Sequence, residues 1–144
     1  MLTPGSSDPI DLAVRALARR DLTAQELAER LERRGVDEQA RQGVVGRLAQ
    51  AGYVDDARFA ADRARALAER GLGDAAIRAD LETRGVAAEA LDDALAALEP
   101  EAGRARREAV RLGGGGRAAR ALVRKGFAEE SLEGLFPSGG HLLG

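Results

Sequence analysis

Apolar residues recur three and four positions apart along most of this chain, and that pattern is itself repeated. Leu12, Ala13, Ala16 and Leu17 share one face of a predicted helix, as do Val44, Val45 and Leu48. Three short turns set the frame: Arg34-Gly35-Val36, Arg84-Gly85-Val86 and Lys125-Gly126-Phe127. Aligned on these glycines, the positions eight before are Leu27, Ile77 and Ala118, and those four before are Leu31, Leu81 and Leu122. Ten after stand Val45, Leu95 and Phe136. Residues four apart lie on one side of a helix, so each copy offers a stripe to bury. Each glycine stands where a left-handed residue ends a helix. Three copies in one frame define a repeat.

The repeat predicts nine short helices in three groups of three. Asp8-Pro9 begins the first, with Pro at a position that needs no N–H donor. Thr23-Ala24-Gln25-Glu26 reads as a capping box for the second, and Asp37 caps a third ending at Gly52. Gly43 and Gly46 weaken that third helix, and close packing is the only use the pattern suggests for them. Asp55 or Asp56 caps a helix with Phe59, Ala60, Arg63, Ala64 and Leu67 on one face, and helices from Asp74 and Ala88 follow. After Pro100 come a helix through Arg111, four glycines at 113–116 that read as a flexible joint, and helices near 117–125 and 128–136. The expected units are 8–52, 53–99 and 100–136, with disordered termini at 1–7 and 137–144. No stretch alternates apolar and polar residues as a strand would, so the fold class is all-α, a tandem array of three-helix repeats.

Composition changes this picture only in degree. Leu, Val, Ile and Phe make up 32 of 144 residues and Ala another 30, so thin cores closed through alanine are expected. Units this small share buried surface with neighbours. The chain has no Cys, which excludes disulfides, thiol nucleophiles and Cys-based zinc sites. Its one His, His141, lies in a Pro-Ser-Gly-Gly tail. With neither a signal-like N-terminus nor an apolar run of spanning length, a cytoplasmic protein without membrane contact is expected.

Charge separates the units. The net charge is zero over residues 1–52, −4 over 53–98 and +2 over 99–144. Between 104 and 125, Arg104, Arg106, Arg107, Arg111, Arg117, Arg120, Arg124 and Lys125 face Glu108 alone. Such a run is either a solvated face or the footprint of an anionic partner, and these eight residues are the candidates for DNA or filament contact. No catalytic constellation stands out. The four glycines lack the Lys and Ser/Thr of a phosphate loop, and Asp55-Asp56 and Asp92-Asp93 point apart on their helices. No enzyme activity, cofactor, metal site or small-molecule substrate is expected. Four aromatics, three of them in core registers, are too few for single-strand stacking.

From Gly52 the sequence becomes specific. Gly52-Tyr53-Val54-Asp55-Asp56, then Phe59-Ala60, Gly71-Leu72-Gly73, Ile77 with Leu81, and Arg84-Gly85-Val86 resemble the motifs of the RecX family, regulators of the bacterial recombinase RecA. Glu26-Leu27 with Leu31 and Arg34-Gly35 upstream, and Leu122 with Lys125-Gly126-Phe127 downstream, are similar to its flanking repeats. The resemblance runs from about residue 9 to 136. It implies an elongated, curved array of three three-helix repeats in the groove of a RecA–DNA filament. There it would inhibit RecA ATPase, recombinase and co-protease activity in DNA repair and the SOS response. DNA would be met mainly through the filament. The motif residues Gly52, Tyr53, Asp55, Asp56, Phe59 and Gly85 read first as structural: Tyr53 a half-buried phenol at the repeat junction, Asp55 a helix cap. Alternatives are a stand-alone DNA-binding protein using 104–125, and a generic helical adaptor.

Overall fold

All three Lys/Arg-Gly turns close their helices in the same way in the computed structural model, which describes residues 8–136. The N–H after each glycine, on Val36, Val86 and Phe127, donates to the carbonyl five residues back, on Leu31, Leu81 and Leu122. The glycine N–H groups donate to Glu32, Glu82 and Val123. These paired bonds form the Schellman arrangement, and the apolar residue that follows turns inward. Val36, Val86 and Phe127 are all buried.

The described residues form helices and no strands. The first group is α1 (Pro9–Arg19), α2 (Ala24–Arg33) and α3 (Glu38–Gln50); the second is α4 (Asp56–Glu69), α5 (Asp74–Thr83) and α6 (Ala88–Ala96); the third is α7 (Glu101–Arg111), α8 (Gly115–Arg124) and α9 (Glu129–Leu132). The helix pairs that pack extensively lie within a group. Leu27, Leu31, Val44 and Leu48 belong to the first core, Ile77, Leu81 and Leu91 to the second, and Leu122, Phe127 and Leu132 to the third. The first core also takes in Val54, two residues beyond the expected boundary. Val45, Leu95 and Phe136 are half-buried and pack against their respective clusters.

Local signals account for most helix ends. Asp8, Asp37 and Asp55 each accept a backbone N–H as N-caps, and Thr23 and Glu26 form the full capping box. Three expectations change. The glycines at 113–116 are not a free joint: Gly113 follows α7, Gly114 is the N-cap of α8, and Gly115 and Gly116 enter its first turn. Gly113, Gly114 and Gly115 take the positive φ values that only glycine adopts without strain. The last helix is one turn long, and Gly134 at φ 79° follows it. Gly43 and Gly46 serve no close packing, since a Cβ at either would meet nothing within 4 Å. The termini 1–7 and 137–144, expected to be disordered, lie outside the described residues, as does His141.

Successive groups are joined by a junction used twice. The start of α2 docks on the turn after α5: Thr23 Oγ1 donates to the Arg84 carbonyl (2.6 Å) and Gln25 Nε2 to the Thr83 carbonyl (3.3 Å). The start of α5 docks likewise on the turn after α8, with Gly73 N–H donating to the Lys125 carbonyl (2.8 Å) and Ala75 N–H to that of Gly126 (3.2 Å). Both docked helices leave a first-turn N–H that their own backbone does not satisfy. A carboxylate from the first residue of the following group's first helix accepts each: Asp56 from Ala24 N–H (2.9 Å), Glu101 from Asp74 N–H (2.7 Å).

The second junction tolerates no side chain at its glycines. A Cβ on Gly126 would lie 2.6 Å from the Ala76 backbone nitrogen, whereas Gly35, at the same position of the first group, has open space. Gly35→Ala is therefore expected to cost about 1–2 kcal/mol, the left-handed backbone penalty alone. Gly126→Ala adds a collision with backbone that no rotamer relieves, for a total above about 3 kcal/mol. Thermal unfolding of the two variants checks this, and equal losses would show that the junction yields. Gly43→Ala and Gly46→Ala should each raise stability by roughly 1 kcal/mol, as exposed helical glycines do on replacement.

Candidate nucleic-acid interface

The eight basic residues between 104 and 125 do not form one patch. Arg104 is only 6% exposed and works as a strut. It donates from Nε to the Glu99 carbonyl (2.9 Å) and from Nη1 to the Leu72 carbonyl (3.0 Å), and it is ion-paired with Asp74. That binds α7 to the start of α5, so Arg104 is removed from the set of partner-facing candidates. Its register explains the correction: it is flanked on α7 by buried Ala105, and a guanidinium buried there spends its donors internally.

Three more are neutralised at or near the surface. Arg107 Nη1 lies 2.5 Å from Glu99. Arg111 donates to both oxygens of Glu108 (2.9 and 2.5 Å), and Lys125 Nζ lies 3.2 Å from the same carboxylate. Glu108 is itself buried. The Arg111 hydrogen bonds hold its carboxyl below the usual carboxylate range, aided by Lys125 and opposed by desolvation. Arg106, Arg117, Arg120 and Arg124 are exposed, with no ion pair among the described residues. Arg117, Arg120 and Arg124 recur at helical spacing along α8, so three uncompensated guanidinium groups share one face opposite buried Ala118 and Leu122. Such a row can meet successive anionic oxygens bidentately.

The motif residues divide differently. Asp55 caps α4, its side chain accepting from Arg58 N–H (3.0 Å). Asp56 leaves that role to its neighbour and caps α2 across the junction. Phe59 is half-buried against the second core. Gly52 and Gly85 have φ near +85° in their turns. At Gly85 the space of a Cβ is taken by Gln25, which comes from the preceding group. Tyr53 is a correction: its side chain is 66% exposed, and the following Val54 fills the buried place at that turn.

One polar network was not anticipated. Arg63 of α4 donates bidentately to Asp80 of α5 (both 3.0 Å), and Arg84 bonds Asp80 (3.0 Å) and Glu26 of α2 (2.7 Å). The Arg63 bond leads in lowering the Asp80 pKa, against desolvation. An arginine on the otherwise apolar face of α4 was the available signal. Among the described residues no group of three or more His, Asp or Glu could hold a metal ion, and no helix is long and apolar enough to cross a membrane.

Glu108 couples stability to the basic surface. Its lowered pKa means the contribution is complete above the ordinary value of 4.5 and fades as pH falls through the folded-state value. Glu108→Gln is expected to cost about 1 kcal/mol at neutral pH, with the gap from wild type closing under acid. The same substitution frees Arg111 and Lys125, so affinity for a single-stranded oligonucleotide should rise. Urea unfolding across pH and fluorescence anisotropy measure the two effects.

Models of two protein domains match the chain: "RecX, second three-helix domain" over residues 55–95 and "RecX, first three-helix domain" over 10–48. A regulatory protein RecX of Stenotrophomonas maltophilia (strain R551-3) is 34% identical over 139 residues, spanning 90% of this chain and 85% of the relative. One of Xanthomonas axonopodis pv. citri (strain 306) is 37% identical over 134 residues, spanning 86% and 83%. The crystal structure of RecX from Lactobacillus salivarius superposes with a TM-score of 0.79 at 17% identity, covering 90% of this chain and 92% of that one. At that identity the likeness shows the fold alone.

Proposed function

We propose, because this chain belongs to the RecX family, that it is a non-catalytic regulator of RecA. In this reading it binds RecA filaments on DNA in the cytoplasm and restrains ATP turnover, strand exchange and co-protease activity, within DNA repair and the SOS response. The observation that carries the reading is family similarity across nearly the whole chain. The groups 8–52, 53–99 and 100–136 act as three linked units, each presenting a surface to the filament groove.

The geometry supports a division of labour. Two hydrogen bonds to turn carbonyls and an ion pair at each junction hold the groups in register, so a partner meets several surfaces at once with little ordering left to do. The second group carries the acidic charge and suits a basic protein surface. The α8 row of Arg117, Arg120 and Arg124 suits phosphate, reached through the filament. That same row favours a second reading, a stand-alone DNA-binding protein. Salt separates them, because an affinity made of phosphate contacts falls steeply with ionic strength.

Two measurements test this. Added to RecA on single-stranded DNA, the protein should inhibit DNA-dependent ATP hydrolysis at ratios to RecA well below one. No effect at equimolar ratio would defeat the regulatory reading. Replacing Arg117, Arg120 and Arg124 by Ala should weaken inhibition several-fold without abolishing it. The salt slope of any direct single-strand affinity should fall by about 2, at about 0.7 for each phosphate no longer neutralised. Complete loss of inhibition would favour the stand-alone reading.

A further inference from the structure

The junction that joins the groups has an open counterpart at the first group. In the second group, the turn at Arg84-Gly85 receives the start of α2, whose Thr23 hydroxyl bonds the Arg84 carbonyl and whose Glu26 bonds the Arg84 guanidinium. In the third, Lys125-Gly126 receives the start of α5. In the first, nothing lies within 4 Å of the place a Cβ would take on Gly35, although its φ and turn bonds match the other two.

Beside this turn is a cavity of about 190 Å³ between α1 and α2, lined by Arg15, Ala16, Arg19, Arg30 and Arg34 among others. The corresponding basic residues elsewhere are neutralised. Arg84 has Asp80 one helical turn earlier together with Glu26, and Lys125 has Glu108 of α7. In the first group, Arg30 stands one helical turn before Arg34 where Asp80 precedes Arg84, and the α1 wall is Ala16. The Nε of Arg30 is buried without a hydrogen-bond partner among the described residues. Asp11 lies 3.5 Å from Arg15, and the residues lining the cavity include four arginines and no carboxylate. A preformed turn thus stands open beside a cavity lined by four guanidinium groups.

We infer that this face of the first group is a docking site for an acidic helix N-terminus of a partner protein. The occupant is of the kind α2 supplies to the second group: a Ser or Thr cap whose hydroxyl reaches the Arg34 carbonyl, with glutamates in the first turn reaching Arg34 and Arg30. The site extends an interface that the chain already makes twice. A second copy of this chain is a poor occupant. Its remaining junction element is the start of α8, where Arg117 falls nine residues before Gly126 as Glu26 falls nine before Gly35. Docking it would set Arg117 against Arg34, and like charges there oppose head-to-tail growth.

The test uses the full-length protein and a peptide of about 20 residues, long enough to hold helix. One peptide begins Ser-Ala-Glu-Glu, and a second of identical composition carries its glutamates in the last turn. Fluorescence anisotropy should show the first binding several-fold tighter than the second. Arg30→Glu with Arg34→Glu should weaken it by at least about tenfold. The same double variant should bind a version with lysines in place of the glutamates, a gain that a misfolded protein would not show. Equal affinity for the two peptides, or insensitivity to the double variant, would overturn the proposal. Preference for an oligonucleotide of equal charge would also overturn it, making the pocket a phosphate site. RecA takes no part in the assay, so its result stands apart from that of the ATPase experiment.

Discussion

The docking of a helix start onto a glycine turn is the interaction on which this structure depends. Each group of three short helices buries a small core, mostly leucine and valine in the first and only five residues in the third, with two or three alanines in each, which is little for an independent unit. The helix pairs that pack extensively stay inside a group, so the connection between groups falls to the turn, its carbonyls and a few ionic bonds. A Schellman turn suits that task because it presents a rigid, convex backbone with a carbonyl facing outward. A neighbouring helix start brings the complementary hydroxyl or N–H donors. Each junction satisfies groups that helix ends otherwise leave to water.

Charge in this chain has two occupations that look alike in sequence. Arg63, Arg84 and Arg104 are half-buried or buried, hold bidentate or multiple bonds, and bind helices to each other. Arg106, Arg117, Arg120 and Arg124 stand in solvent without an ion pair among the described residues. The difference follows from the helix face each occupies and from whether a carboxylate comes within reach. Glu108 shows the principle within a single residue, since one buried carboxylate occupies two cations that would otherwise add to the uncompensated positive charge of this surface. Guanidinium suits both occupations because it remains charged when half-buried and bonds in a planar fork.

The repeat is alike in backbone and unlike in charge, and that contrast bears on regulation. Identical junction surfaces at the two ends would invite a growing chain of copies, as heterologous interfaces do. Here one end carries arginines around an open turn, and the other begins its helix with glycines and Arg117. Self-association along the array is opposed while the surfaces remain open to partners of opposite charge.

The helix order, the three glycine turns, the side-chain caps and the core face of α1, α2, α4 and α5 were legible in the chain, whereas core residues such as Leu22, Val54, Leu91, Ala105 and Leu132 were not singled out. The legible features depend on spacing over fewer than about a dozen residues, where periodicity and cap chemistry act. Even the family resemblance rests on such local strings, from Gly52-Tyr53 to Arg84-Gly85. What the tertiary structure alone decided are the pairings across 30 to 60 positions. Among these are Asp56 capping α2 rather than its own helix, Arg104 turning inward to Asp74, and Glu26 serving its capping box and Arg84 together. Tyr53 stayed outside because Val54 filled the buried place, and Gly43 and Gly46 met no neighbour at all. Local pattern states which face a residue occupies. Only the docking of one group on the next determines which carboxylate, carbonyl or solvent that face will meet.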